Sequence, residues 1–180
     1  MKQLFIAEIK TVSPFGFKSQ HSFDYLLDVA IANGDWIAIH TDPRWGGDLS
    51  LIRKARKKTD KPILAKGIHV SNLELRQAIH NGADWALIVG RSPSQDIACK
   101  CIFEPTSLRQ LDGYSSTGAI MWNSRDLQTG GLKKETWTDM RKKYPFFAIQ
   151  ASNIKTKADV KSDANAFIVG TCLVDFVKTL

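Results

Sequence analysis

Polar side chains that could transfer protons follow several short apolar segments of the sequence. The set comprises two carboxylates, two lysines and one amide: Glu8, Glu104, Lys10, Lys66 and Asn123. A lysine held among carboxylates can act as a general acid, and a glutamate can act as a general base. We expect Lys10 to disfavour the protonated form of Lys66 and a nearby glutamate to restore it. The pattern predicts an acid–base site, with a set of buried, non-catalytic ion pairs as the alternative.

Small and hydroxyl-bearing residues in three other segments could bind a phosphate group. These segments are Ser13-Pro14, Ser152-Asn153 and Gly170-Thr171. Backbone N–H groups and hydroxyls at loop–helix junctions are suited to phosphate. Ordinary turns and helix caps use the same residue types. The joint placement of the three segments therefore favours a phosphorylated small molecule as substrate.

Alternating strand and helix patterns provide the elements that would position these residues. The apolar runs predict eight strands, at 4–10, 36–41, 62–67, 85–90, 99–104, 118–123, 146–151 and 166–171. Helices are predicted at 23–33, 49–59, 72–80, 133–143 and 173–180, with Gly34 and Gly82 ending two of them in the left-handed conformation. Side chains alternate along a strand, so the polar strand ends should share an inward face with Ile6, Leu64, Ile102 and Met121.

Eight parallel βα units would close into a (β/α)₈ barrel, with its site at the carboxyl ends of the strands. The segments at 91–96 and 153–165 are too short for full covering helices. We therefore expect one compact barrel domain over residues 1–180 with several shortened helices, and an open, doubly wound sheet is the alternative. Shortened helices could leave apolar surface for a partner subunit or a homo-oligomer to cover.

Composition argues against several other classes of protein. No apolar run approaches a membrane span, and the first ten residues do not resemble a signal peptide, so a cytoplasmic protein is expected. The net charge of +7 favours anionic partners, but the basic run at 53–58 lacks the aromatic residues of a nucleic-acid site. The histidines and cysteines show no metal-ligand spacing, and Cys99 and Cys101 should share one face of a strand as small apolar residues.

Several motifs resemble those of indole-3-glycerol phosphate synthase, a family of the tryptophan pathway. Residues 7–14 (AEIKTVSP) resemble its A-E-[IC]-K-x-x-S-P signature, and residues 123–127 (NSRDL) match its N-x-R-D-L motif. The segments at 41–47, 62–66, 103–104, 152–156 and 169–171 follow in the same register. The resemblance implies a carbon–carbon lyase that closes the ring of 1-(2-carboxyphenylamino)-1-deoxyribulose 5-phosphate with loss of CO₂ and then water, without a metal or organic cofactor.

The resemblance also implies roles for individual residues. Lys66 would be the general acid on the substrate carbonyl, and Glu104 would be the base or proton shuttle of the dehydration. Lys10 would contact the substrate carboxylate and serve as a second acid, and Glu8 would position the lysines. Asn123 would orient the substrate, and Arg125 would help to position the substrate or a loop. The phosphate would be held by Ser13, Ser152, Gly170 and Thr171.

The sequence also departs from the family pattern. Family members carry an N-terminal extension, whereas this chain begins at the first strand. Gly67-Ile68 replaces Asp-Phe, which leaves Trp45 as an aromatic surface for the substrate's benzene ring, and Ala151-Ser152-Asn153 replaces Glu-Ser-Gly. These departures motivate a second interpretation, a barrel that binds a phosphorylated ligand without catalysis, as a pseudoenzyme or regulatory module. An aminosugar-phosphate isomerase is a third, but that family uses a cysteine and an aspartate at its strand ends.

Overall fold

The computed structural model describes residues 2–112, 114 and 118–180, and its eight parallel strands form a closed barrel. Each strand pairs with its neighbour in sequence, and β8 pairs with β1. The predicted (β/α)₈ barrel is therefore confirmed, and the open sheet is wrong. The strands are β1 (Leu4–Ile9), β2 (Trp36–His40), β3 (Ile63–Lys66), β4 (Trp85–Val89), β5 (Cys101–Glu104), β6 (Ile120–Asn123), β7 (Ala148–Ala151) and β8 (Ala166–Val169).

In the described ranges, five α-helices pack outside this sheet: α1 (Phe23–Asn33), α2 (Leu49–Arg56), α3 (Asn72–His80), α4 (Trp137–Lys143) and α5 (Leu173–Val177). The predicted bounds of α1 and α3 are confirmed, and side chains of Ser22 and Ser71 cap their first turns. Helix α4 begins four residues later than predicted, because Thr136 and Asp139 form a capping box that starts it at Trp137.

The expectation for Gly34 is wrong, whereas that for Gly82 holds. Gly82 has a φ of 105°, but Gly34 has a φ of −76° in the extended region. A Cβ on Gly34 would lie 2.8 Å from the Cβ of Ala7 and 2.7 Å from the carbonyl oxygen of Trp36. Glycine is required there by close packing of α1 on the sheet, and not by a left-handed backbone.

Cys99 and Cys101 also differ from the prediction. Cys99 is exposed within a 3₁₀ turn (Ala98–Lys100), and Cys101 is the buried first residue of β5. The two thiols therefore do not share a strand face.

Among the residues that the structure describes, three crossovers contain short 3₁₀ turns, at Ala98–Lys100, Leu108–Leu111 and Lys157–Asp159. The outer strand faces are nevertheless buried within the chain. Phe103 on β5 stacks on Tyr114 with ring centroids 4.7 Å apart, and Phe167 on β8 stacks on Phe5 at 5.3 Å. In the part of the chain that the structure describes, no helix is long and apolar enough to cross a membrane.

A separate apolar core fills the barrel interior. Its buried members are Ile6, Ala38, Leu64, Leu87, Ile102, Met121, Ile149, Ala151, Ala166 and Ile168. Trp36 and Trp85 stand where β2 and β4 begin and stack in parallel, with ring centroids 6.0 Å apart. They form the floor of the barrel. The predicted inward face of the strands is thus confirmed, and the polar strand ends lie at the opposite mouth.

Candidate active site

Glu8 is the centre of a buried hydrogen-bonded cluster at the carboxyl ends of β1, β2 and β3. Its side chain is 5% exposed. The Oε1 atom accepts hydrogen bonds from Lys66 Nζ at 2.8 Å and from His40 Nε2 at 2.7 Å. Lys10 Nζ lies 3.4 Å from the other oxygen, Oε2. The structure therefore brings Glu8, Lys10 and Lys66 together as the sequence predicted.

The charges in this cluster change one another's acidity. Burial opposes ionisation of Glu8, but the cations Lys10 and Lys66 and the hydrogen bond from His40 hold its pKa well below the ordinary value. Burial also opposes protonation of Lys66, yet Glu8 and Glu104 together raise its pKa. Burial lowers the pKa of Lys10 in spite of Glu8. Lys66 is thus a protonated donor at neutral pH, as expected for a general acid.

Glu104 and Asn123 form a second polar group on the far side of the mouth. Asn123 Nδ2 donates to Glu104 Oε1 at 3.0 Å, and the backbone N–H of Arg125 donates to Asn123 Oδ1 at 3.0 Å. The Ser152 hydroxyl donates to the same amide oxygen. Burial raises the pKa of Glu104, although Lys66 opposes this shift. A carboxylate with a raised pKa is a stronger base than an ordinary one, as a proton acceptor requires.

A cavity of about 360 Å³ opens above both groups. Its polar wall includes Lys10, Lys66, Glu104, Asn123 and Arg125. Its apolar lining includes Phe15, Phe17, Trp45, Ile68, Leu87, Val89 and Leu127. Polar groups that converge in a cleft with an apolar wall are typical of a small-molecule site.

A smaller cavity of about 120 Å³ lies beside the first, at the ends of β7 and β8. Ser152, Gly170 and Thr171 line it together with Lys10 and Arg125. These three predicted phosphate ligands therefore converge beside two cations. Ser13 lines the larger cavity instead, and its hydroxyl accepts a hydrogen bond from the backbone N–H of Phe15.

The backbone after β7 takes an unusual conformation at this smaller cavity. Ser152 and Asn153 have φ values of 69° and 57°, the left-handed region that glycine and asparagine adopt most readily. Asn153, which stands where the family pattern has a glycine, thus adopts a left-handed backbone. Its side chain donates to the Ser124 hydroxyl at 2.9 Å.

His40 is the residue of the cluster that the sequence analysis missed. It ends β2, it is 5% exposed, and its imidazole stacks on Trp45 with ring centroids 6.0 Å apart. The alternation that identified the other strand ends also applies here, because Ala38 and His40 follow Trp36 on the inward face. Among the described residues, no cluster of three or more His, Cys, Asp or Glu side chains could hold a metal ion.

Comparison with known proteins gives relatives in sequence and neighbours in fold. No family model matches the chain. Indole-3-glycerol phosphate synthase of Petrotoga mobilis is 28% identical over 183 residues, which cover 88% of this chain and 72% of that protein. The Rhodopirellula baltica enzyme of the same name is 28% identical over 193 residues, which cover 94% and 74% of the two chains.

Among solved structures, 3-hexulose-6-phosphate synthase has a TM-score of 0.67 at 17% identity, covering 93% of this chain and 90% of that chain. KGPDC from Streptococcus mutans has a TM-score of 0.65 at 14% identity, covering 94% and 88%. At these identities the structural likeness establishes the (β/α)₈ fold alone, while the sequence likeness is to indole-3-glycerol phosphate synthases.

Proposed function

We propose that the protein is an indole-3-glycerol phosphate synthase, an enzyme that acts on a phosphorylated small molecule. The observation that carries the proposal is the position of Lys66, a protonated lysine held by Glu8 and facing a cavity that also contains Glu104. The sequence relatives bear this name. The structural neighbours are named for sugar-phosphate chemistry, which agrees with a phosphorylated substrate.

In the proposed reaction, the aromatic carbon that bears the carboxylate attacks the ketone carbon of the deoxyribulose chain. Lys66 donates a proton to the carbonyl oxygen, which becomes a hydroxyl group. The carboxylate leaves as CO₂, and its bonding electrons restore the aromatic ring. The apolar wall of the large cavity holds the ring, and the smaller cavity holds the phosphate.

Loss of water then completes the indole. The new hydroxyl leaves with a proton from Lys10, and Glu104 accepts the proton removed from the neighbouring carbon. Glu8 holds both lysines, and Asn123 holds Glu104 through the 3.0 Å hydrogen bond. Carbon–carbon bond formation, loss of CO₂ and loss of water balance without an external oxidant or reductant.

The test is the fluorescence of indole product formed from the carboxyphenylamino-deoxyribulose phosphate. Lys66→Ala should abolish turnover, because it removes the proposed proton donor to the carbonyl oxygen. Lys57→Ala removes an exposed lysine at the end of α2 and should leave turnover unchanged. Equal activity in the wild type and Lys66→Ala would contradict the assigned mechanism.

One observation favours the second interpretation, a non-catalytic barrel for a phosphorylated ligand. Ala151 is buried on the inward face of β7, where the family pattern has a glutamate, so one carboxylate partner for the lysines is missing. Calorimetry distinguishes the two interpretations. Saturable binding of a substrate analogue to a protein that forms no indole would favour the pseudoenzyme or regulatory module.

A further inference from the structure

The hydrogen bonds to Glu8 contain a feature that the proposed chemistry does not explain. Two donors, Lys66 and His40, meet the same carboxylate oxygen, Oε1. Since a carboxylate can only accept, the hydrogen of this His40 contact lies on Nε2. His40 Nδ1 is buried and has no hydrogen-bond partner among the described residues. Burial lowers the pKa of His40 despite its contact with Glu8, so the ring is a neutral donor near pH 7.

The surroundings of His40 fix its ring against the barrel. Trp45 stacks on the imidazole with an interplanar angle of 6°. Gly47 lies against the His40 backbone, where a Cβ would come within 2.4 Å of the carbonyl carbon and oxygen. The loop after β2 therefore contacts both the ring and the backbone of His40. These contacts keep His40 Nε2 in place if the Glu8 carboxylate moves.

Charged and titratable groups from several elements face Glu8. Lys10 follows its own strand, His40 ends β2, Lys66 ends β3 and Glu104 ends β5. Arg125 and Lys155 line the same small cavity as Glu8. At the end of β8, Gly170 packs against the carboxylate. His40 is thus the neutral donor of the set, and it contacts the same oxygen as the proposed general acid.

We propose that His40 is a positioning residue for the acid step: its Nε2–H keeps Glu8 Oε1 hydrogen-bonded while Lys66 turns from Glu8 to the substrate carbonyl. A buried carboxylate that loses a donor is strongly disfavoured. When Lys66 moves to the substrate, Glu8 Oε1 still accepts the hydrogen bond from His40, and Glu8 Oε2 still faces Lys10. Without His40, Glu8 would retain Lys66. The inference rests on the proposed function for its catalytic part only.

Two substitutions separate donation from space filling. His40→Leu fills the site without a donor, and His40→Gln supplies an amide N–H near the position of Nε2. We expect His40→Leu to lower kcat by about tenfold to a hundredfold with a smaller change in KM, and His40→Gln to restore most of kcat. His69→Leu is the matched control, because His69 is also buried but bonds to Leu87 and Thr41 and not to Glu8.

A titration without substrate tests the same inference independently of activity. The glutamates of the chain are Glu8, Glu74, Glu104 and Glu135, so ¹³C labelling of glutamate gives a simple carboxyl spectrum in which Glu8→Gln assigns Glu8. Loss of the His40 donor should raise the pKa of Glu8 in His40→Leu, and neither His40→Gln nor His69→Leu should do so. An unchanged Glu8 titration in His40→Leu would overturn the role of His40, whereas absence of indole formation by the wild type would overturn only the proposed reaction.

Discussion

Gly170 packs so closely against the carboxylate of Glu8 that no larger side chain fits at this position. A Cβ at this position would overlap Glu8 Oε2, the oxygen that faces Lys10. The resemblance assigned Gly170 to the phosphate, and the structure adds this second requirement. Glycine here is therefore needed for the lysine cluster even before a ligand binds.

Gly170→Ala should displace Glu8 and separate it from both lysines. We expect turnover to fall by on the order of a hundredfold, because a shift of about 1 Å in catalytic geometry has that effect. Gly131→Ala is the control, since its Cβ would meet only the Thr129 hydroxyl at an ordinary 3.5 Å. Steady-state kinetics on both variants measure the difference. Unchanged kinetics in Gly170→Ala would mean that the Glu8 geometry is not required.

Glu104 should reduce stability while serving catalysis. Burial raises its pKa in the folded state, so its contribution to stability is fully present below the unfolded pKa and is lost as pH rises through the folded pKa. Glu104→Gln keeps an acceptor for Asn123 but cannot ionise. We expect the variant to unfold at higher urea concentration than the wild type at pH 7, with the difference shrinking toward pH 4, and to lose activity. A wild type that is the more stable at pH 7 would contradict this.

Two loops at the mouth of the barrel pack against each other and cover the large cavity. The β1–α1 loop closes on itself through the Val12–Lys18 bridge, and the loop after β6 closes through the Arg125–Leu132 bridge. Phe15 connects them: the Arg125 guanidinium lies 5.7 Å from its ring centroid, and a Cβ on Gly130 would lie 2.5 Å from its Cδ1. An aromatic side chain thereby faces the cavity although Ile68 replaces the phenylalanine of the family pattern.

Phe15→Ala should weaken substrate binding more than it slows the chemistry. The substitution removes part of the apolar wall of the large cavity but no acidic or basic group. We therefore expect KM to rise about tenfold with a small change in kcat. Phe146→Ala is the matched control, because Phe146 is 47% exposed next to the start of β7, away from the mouth. A fall in kcat at constant KM would show that Phe15 acts in the reaction itself.

The strands and helices also show which parts of the site could be predicted from the sequence. Strand alternation was sufficient to place Glu8, Lys66, Glu104 and Asn123 at one mouth, because period two is fixed by the backbone. It could have found His40 by the same rule. It could not find the pairing of Ser152 with Asn123 or the packing of Gly34 on Ala7, since both depend on how separate units meet in space.

At the scale of the whole molecule, ligand binding and stability are linked through the smaller cavity. An anion bound only by the folded state raises the free energy of unfolding by RT ln(1 + [L]/Kd). We expect inorganic phosphate to raise the Tm by several degrees above chloride at equal ionic strength. Thr171→Val removes a hydroxyl from this cavity without changing its shape and should reduce the increase. Equal Tm values in phosphate and chloride would contradict phosphate binding there.

A partner subunit or homo-oligomer stays a prediction. The outer faces of β5 and β8 are buried by the chain's own aromatic side chains. Exposed apolar side chains are found elsewhere on the surface, for example at Val70, Leu73, Phe146 and Phe147.

The stacked Trp36–Trp85 pair makes the barrel floor visible to spectroscopy. Two indoles 6.0 Å apart couple their electronic transitions, so their circular-dichroism signal should change when β2 and β4 separate. Trp45 lies instead at the mouth, against His40. Its share of the tryptophan emission should respond to occupancy of the cavity, while the circular-dichroism signal of the pair at the floor stays constant. Opening of the barrel and filling of its site can thus be followed as two separate optical signals in one unlabelled sample.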